Sequence, residues 1–330
     1  MNNIPLPLMS FLNYMETIQG KSKNTVKEYY YDLRTFFRYL KVQRGLVPKT
    51  AEFEKIRIDD VDIDLIKSVT LNDLYGFISY VSFKRDNSNS AKARKVSTLR
   101  SFFKFLHGKM KMIDENPAGE LETPKTPSRH PVYLTLAEAR ELLEAVEGEF
   151  RDRDYCILTL FLNCGLRLSE LVGINISNIR GDTMTVIGKG NKERTVYLND
   201  ACLKAIEDYL RVRPRDGVRD RDALFLSKRK QRISNKTVQH IVKKYVEKAG
   251  LDTERYSTHK LRHTAATLMY KHGDVDIRAL QQILGHSSIS TTQIYTHVDD
   301  KRLRDAIKKN PLSKARKDSP TLNVKKNMDE

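Results

Sequence analysis

Apolar residues recur at helical spacing along most of the chain. Between Lys23 and Lys41 they fall at Val26, Tyr29, Tyr30, Leu33, Phe36, Phe37 and Leu40, the i, i+3, i+4, i+7 stripe of an amphipathic helix. Ser22 is its predicted N-cap. Leu71 to Phe83 reads as another helix, and Val96, Leu99, Phe102, Phe103 and Leu106 mark a third, opened by Ser88 or Ser90. The pattern breaks at ENPAGELETPKTPSRHP, residues 115–131, where four prolines remove backbone donors and push their neighbours out of the α region. This is a predicted linker, and the domain boundary is expected near 122–131.

Helical spacing resumes at once. Thr135 and Glu138 form a capping box ahead of Leu142, Leu143 and Val146, on a helix whose outer face is acidic (Glu138, Glu141, Glu144, Glu147). Arg151 to Asn163 is largely apolar and reads as a buried helix. Two short β-branched runs, 183–188 and 193–199, surround the turn Gly188, Lys189, Gly190, Asn191, Lys192 and predict a hairpin. Further helices are predicted at 202–211, 235–249, 260–271 and 277–284, the last stopped by Gly285. The expected fold class is mainly α, an all-helical first domain followed by a mostly helical second domain with a small antiparallel sheet. The assignment is 1–121 for the first domain, 122–131 for the linker, 132–311 for the second domain and 312–330 for a tail low in structure.

Charge narrows the function classes. The 330 residues carry 59 Lys and Arg against 42 Asp and Glu, a formal net charge of +17, which favours a polyanion partner because each cation set against a phosphate releases condensed counterions. The basic residues are scattered over many predicted helices, unlike the single charged amphipathic helix of a membrane-surface protein. The longest apolar run, Tyr155 to Leu162, falls far short of the ~20 residues of a bilayer span. Pro5 and Pro7 interrupt any leader-like stretch in the first ten residues, so a cytoplasmic location is expected. Three cysteines with no CxxC pair argue against a disulfide framework or a thiolate zinc site.

Five short stretches put phosphate-compatible or proton-transferring residues at structural punctuation: GLRLSEL (165–171), IGKGNKER (187–194), HKLRHT (259–264), LGHSS (284–288) and IYTH (294–297). Arg262 lies three residues after His259, so on a helix the two share a face. Arg167 and Arg262 are suited to bind a phosphate bidentately and remain charged at any relevant pH. Lys189 sits between two glycines at the hairpin tip, where the backbone can approach a ligand. His286, after a helix-ending glycine, and His259 can each donate to a phosphate oxygen or exchange a proton with a hydroxyl. His263 and His297 read as packing or supporting residues, Glu170 as a structural carboxylate that positions an arginine, and His240 as a backbone-phosphate contact. Nothing in composition distinguishes Tyr295 among 15 tyrosines.

In this order and spacing the five stretches resemble the tyrosine recombinase (phage integrase) family, and within it the bacterial Xer recombinases. KSKNTVKEYYYDLRTFFRYL and VSTLRSFFKFL followed by ENPA look like the core-binding (SAM-like) domain of those proteins. The resemblance implies a C-shaped clamp on DNA and a catalytic set of Arg167, Lys189, His259, Arg262, His286 and Tyr295. Tyr295, nine residues after His286, is then the nucleophile of a 3′-phosphotyrosine intermediate, Lys189 the general acid toward the 5′ oxygen, and no metal, cofactor or ATP is implied. The implied partners are double-stranded DNA with paired half-sites, three further protomers in a homotetramer or a heterotetramer with a related recombinase, and a regulator such as a DNA translocase. A helix at 300–310, with apolar residues only at Leu303, Ala306 and Ile307, is expected to exchange in trans.

Lys92, Arg94, Lys95 and Arg100 in the first domain, and Lys192, Arg194, Lys236 and Lys243 in the second, are the candidate DNA-backbone contacts. The segment KVQRGLVPKTAEFEKIRIDDVDID, residues 41–64, is a longer connector than compact Xer proteins carry. It leaves chromosome-dimer resolution and integration of a mobile element both open. A type IB topoisomerase shares the chemistry, but the helical first domain and exchangeable tail speak against it. A DNA-binding protein that has lost catalysis would not keep all six positions.

Overall fold

The computed structural model describes residues 4–48, 50–125, 131–188, 192–273, 275–286 and 288–295. The chain divides into two compact units, Met1–Arg129 and His130–Glu330. Among the described residues no helix is long and apolar enough to cross a membrane.

The first unit contains α1 (Leu6–Thr17), α2 (Lys23–Gln43), α3 (Ile63–Lys67), α4 (Leu71–Phe83) and α5 (Asn89–Gly108). Ser22 and Ser88 cap α2 and α5 by accepting from Thr25 N and Ala91 N, each satisfying one otherwise orphaned donor of the first turn. The apolar stripes of these helices meet in an aromatic core. Phe11, Phe36, Phe37, Phe77, Phe102 and Phe103 are all fully buried, with edge-to-face contacts such as Phe36 on Phe77 at 5.3 Å between ring centres. Helix α1 has no counterpart in the sequence reading, because Pro5 and Pro7 suggested interruption. Both prolines sit at the helix start, where a missing N–H costs nothing.

The long connector is part of this core. Ile56, Ile58, Val61, Ile66 and Val69 are buried, and cations of α2 hold the segment down. Arg38 pairs with Glu54 at 2.7 Å and donates to Ile56 O at 2.9 Å, while Lys41 reaches both oxygens of Asp60.

One ionic cluster ties α2 to α5. Asp32, only 2% exposed, accepts from Lys95 Nζ at 2.7 Å and from Thr98 Oγ1 at 3.0 Å, and forms an ion pair with Arg94 Nη1 at 2.9 Å. Lys95 therefore points into the unit, 7% exposed, and not outward as a candidate DNA-backbone contact would. A cation at the edge of an apolar stripe turns inward when a buried carboxylate waits for it.

The second unit contains α6 (Leu136–Glu144), α7 (Arg151–Cys164), α8 (Leu168–Val172), β1 (Ile179–Arg180), β2 (Thr183–Ile187), β3 (Glu193–Tyr197), α9 (Asp200–Val212), α10 (Asn235–Lys248), α11 (Thr258–His272), α12 (Ile277–Leu284) and α13 (Ser290–Gln293). Thr135 and Glu138 form the expected capping box of α6. Helix α7 is buried along most of its length and packs against α9 and α11, so the core wraps it. The hairpin becomes a three-stranded antiparallel sheet in the order β1-β2-β3, with Thr183 opposite Tyr197 and Ile187 opposite Glu193.

Removing the Asp32 carboxylate would leave Lys95 buried without its partner. We expect Asp32→Leu to cost the first unit about 3 kcal/mol, read as a lower urea midpoint for that unit by hydrogen exchange on α2 and α5; an unchanged midpoint would show that the pair is not buried in solution.

Candidate functional site

Two helix ends and the start of a third helix converge on one carboxylate. Helix α7 stops at Gly165 and α12 stops at Gly285, both left-handed with φ of 59° and 62°, conformations that cost a glycine little and other residues more. Arg167 follows as the N-cap residue of α8, and Glu170 is the third residue of that helix. Glu170 is 1% exposed. Its carboxylate accepts from Arg167 N at 2.8 Å, Arg167 Nη1 at 2.6 Å and Arg194 Nη2 at 2.8 Å, with Arg262 Nη1 at 3.8 Å. Burial pushes the carboxyl pKa up, but hydrogen bonds and charge from Arg194, with Arg167 behind them, outweigh it and hold the group below its ordinary value. Glu170 is thus ionised, and three guanidinium groups around one carboxylate leave a formal excess of two positive charges.

The remaining guanidinium donors turn to the spare carbonyls of helix ends, where the backbone carries partial negative charge. Arg262, 3% exposed, donates to Gly165 O and Leu284 O, both at 2.6 Å. Arg167 donates to Gly285 O at 3.0 Å and Arg194 to Ile283 O at 2.5 Å. Burial, then the charge of Arg167, lowers the Arg262 pKa to about 10, and the group stays cationic at neutral pH. A Cβ at Gly285 would lie 2.7 Å from Arg194 Cδ, so this position is closed to larger residues by contact as well as by backbone angle. Gly188 packs against the same cluster, its Cβ position 3.4 Å from Glu170 Oε1 and 3.7 Å from Arg167 Nη1, which brings the end of β2 beside the arginines. Lys189 lies outside the described residues, as do His297 and the helix expected at 300–310.

Two histidines and a tyrosine complete the arrangement. His259 lies in the first turn of α11 and His263 one turn later, their rings edge to face at 4.5 Å. His286 Nδ1 is 2.9 Å from Thr292 Oγ1. Burial first, and nearby cations after it, lower the pKa of His259 and take that of His286 to about 4. Tyr295 is 1% exposed, and its hydroxyl lies 2.7 Å from His263 Nδ1. Burial, opposed by the charge of Arg262, pushes its phenol up to about 12, so the phenol is protonated at rest.

The structure therefore gathers Arg167, Arg262, His259, His286 and Tyr295 in one neighbourhood. It moves Arg194 from the row of presumed backbone contacts into the arginine cluster. Glu170 proves to be the shared anchor, and His263, read from sequence as a supporting residue, touches the tyrosine. Its signal was present: His263 is four residues beyond His259 and so lies on the face that carries Arg262. Of the other basic candidates, Lys192, Lys236 and Lys243 are exposed, as is His240. In the first unit Arg100 is exposed and donates to Thr123 at 3.3 Å, Lys92 donates to Ser82 at 3.1 Å, Arg94 pairs with Glu28 as well as Asp32, and Lys95 is committed to Asp32.

Residues 132–302 match the family model described as "Phage integrase family". The chain is 60% identical over 309 residues to a tyrosine recombinase XerC of Caldanaerobacter subterraneus subsp. tengcongensis, covering 94% of this chain and 88% of that protein. It is 37% identical to a tyrosine recombinase XerC of Thermodesulfovibrio yellowstonii, covering 95% and 99%. Among solved structures, a XerH site-specific recombinase bound to its palindromic difH substrate in a post-cleavage complex aligns over 92% of this chain and 94% of that one, with a TM-score of 0.67 at 21% identity. The chain belongs to the phage integrase family, the tyrosine recombinases, whose members are site-specific DNA strand-exchange enzymes. Within that family it is most like the Xer recombinases.

Glu170→Gln would leave the arginines clustered without their counter-charge. We expect a loss of about 3 kcal/mol and a lower melting temperature for the second unit, measured by calorimetry; an unchanged melt would mean that the arginines are held by the helix-end carbonyls alone. The histidines add a pH dependence. His263 and His286 titrate near 4 when folded against 6.5 ordinarily, so the unfolded state takes up protons first as the pH falls through that window. Stability should be level from pH 7 to 9 and fall between about 6.5 and 4, by on the order of 2 kcal/mol after screening of these half-buried rings. In His286→Asn the slope should be shallower, and an equal slope would exclude that ring as a source.

Proposed function

We propose that this chain cleaves and rejoins DNA at a specific site through a 3′-phosphotyrosine formed by Tyr295, and that it serves the resolution of chromosome dimers. The observation that carries the reading is the group of three arginines with excess positive charge beside a buried tyrosine. Such fixed cations stabilise the charge that a phosphodiester gains in its transition state, with no reorganisation at the moment of reaction.

In this reading Arg167 and Arg262 take the nonbridging oxygens of the scissile phosphate. His259, with its lowered pKa, is neutral and can accept a proton from the incoming phenol, while His286 hydrogen-bonds the phosphate. The Tyr295 oxygen forms a bond to phosphorus as its proton leaves, the bond from phosphorus to the 5′ oxygen breaks, and Lys189 gives that oxygen a proton. Gly188, the residue before Lys189, packs on Glu170, which supports that role for its neighbour. The phosphotyrosine keeps the phosphodiester linkage energy, so a 5′ hydroxyl from a partner strand can reverse the step without ATP.

The first unit is assigned to the core-binding part, with Arg100, Lys92 and the outer side of Arg94 toward backbone phosphate, and the second to catalysis, with Lys192, Lys236 and Lys243 in the same service. Lys95 drops out of this set because its charge is spent on Asp32. Two protomers per duplex on paired half-sites, four in the synaptic complex, exchange of segment 300–310 and control by a DNA translocase complete the proposal. The 60% identity to a XerC protein supports the chromosomal role.

A nicked suicide duplex tests the chemistry. In the presence of chelator the chain should form a covalent adduct that resists denaturant, and Tyr295→Phe should form none. Adduct from Tyr295→Phe would remove the nucleophile assignment, and a strict requirement for a divalent cation would remove the mechanism.

A further inference from the structure

The hydroxyl of Tyr295 is in the wrong place to react. A nucleophile must come within about 3.5 Å of its target atom, yet this side chain is 1% exposed and packs with Ala266, Leu280 and Leu284. Its hydroxyl has a partner inside the protein, His263 Nδ1 at 2.7 Å. A phenol far below its pKa donates well, so the ring nitrogen accepts and the ring proton sits on Nε2. The His263 ring is held neutral, its pKa brought to about 4 by burial and then by His259 and Lys260. A nitrogen that weakly basic does not carry off a phenolic proton. What it does is satisfy a buried hydroxyl that would otherwise be unpaired.

We propose that His263 is a positioning residue that keeps the Tyr295 hydroxyl in a buried resting place and must release it before attack. The inference rests on Tyr295 being the nucleophile. His263 also has its ring edge to face with His259 at 4.5 Å, the histidine assigned to take the phenolic proton. The ring that holds the phenol is thus linked by contact to the ring that is to accept its proton. Both histidines and Arg262 stand on one face of α11, one turn apart, so the link needs no movement of the helix. An isolated protomer in this state holds its phosphate-binding groups assembled and its nucleophile withdrawn.

The experiment compares His263→Phe, which keeps a ring but no acceptor, with His263→Asn, whose amide oxygen can accept from the phenol. Adduct formation on the nicked duplex should be roughly tenfold faster in His263→Phe, because the resting place loses its hydrogen bond, and close to the parent rate in His263→Asn. Nitration by tetranitromethane, read by peptide mass, supplies a second measure. In the unaltered chain Tyr295 should react at least about tenfold more slowly than exposed Tyr197, and in His263→Phe the two should approach one another. A folded His263→Phe chain that cleaves at the parent rate or more slowly would overturn the proposal. Should that variant not fold, nitration of Tyr295 in the unaltered chain as fast as Tyr197 would overturn it. Adduct from Tyr295→Phe, run alongside, would instead overturn the nucleophile assignment, so the two failures are told apart.

Discussion

The site depends on one buried carboxylate. Arginines repel one another, and three guanidinium groups drawn into a small volume stay there only because Glu170 stands among them with its charge intact. The arginines come from distant parts of the chain, from the start of α8, from β3 and from α11. Glu170 is therefore the point at which local chain geometry becomes a three-dimensional site. It leaves the cluster with positive charge to spare. The ends of α7 and α12 do the rest by offering carbonyls in place of further carboxylates, which fixes the guanidinium planes while subtracting less charge than a second acid would.

Much of this was legible in the sequence, and the reasons differ from feature to feature. Helix α2 was read nearly to its ends because its apolar stripe and its Ser22 cap obey purely local rules. Gly285 announced the end of α12 for the same reason. Arg167, Arg262, His259, His286 and Tyr295 were singled out by motif, and the shared face of His259 and Arg262 follows from helical spacing alone. The place of Arg194 was not legible. It is set by a carboxylate 24 residues earlier and by the end of a helix 89 residues later, and no local pattern encodes such meetings. The inward turn of Lys95 was hidden likewise, since its partner lies 63 residues away on α2. His263 fell between the two cases: spacing put it on the right face, but only packing shows that its ring meets a hydroxyl.

The two units use ion pairs differently. Asp32 and Glu28 together balance Lys95 and Arg94 beside an aromatic core, where the pairing fixes how α2 lies on α5. Around Glu170 the balance is deliberately incomplete. The first arrangement closes its charge count, and the second leaves positive charge over. The same residue types serve both ends, and what separates them is whether the count of opposite charges closes.

Gly285 illustrates how densely the site is written. It ends a helix, lends its carbonyl to Arg167 and leaves room for the side chain of Arg194. Two of these requirements, the backbone angle and the empty volume, meet on one atom that is missing, the Cβ. A neighbouring change could relieve one of them, but a repair would have to restore both together. A side chain at this position would strain the backbone and crowd Arg194 in a single step.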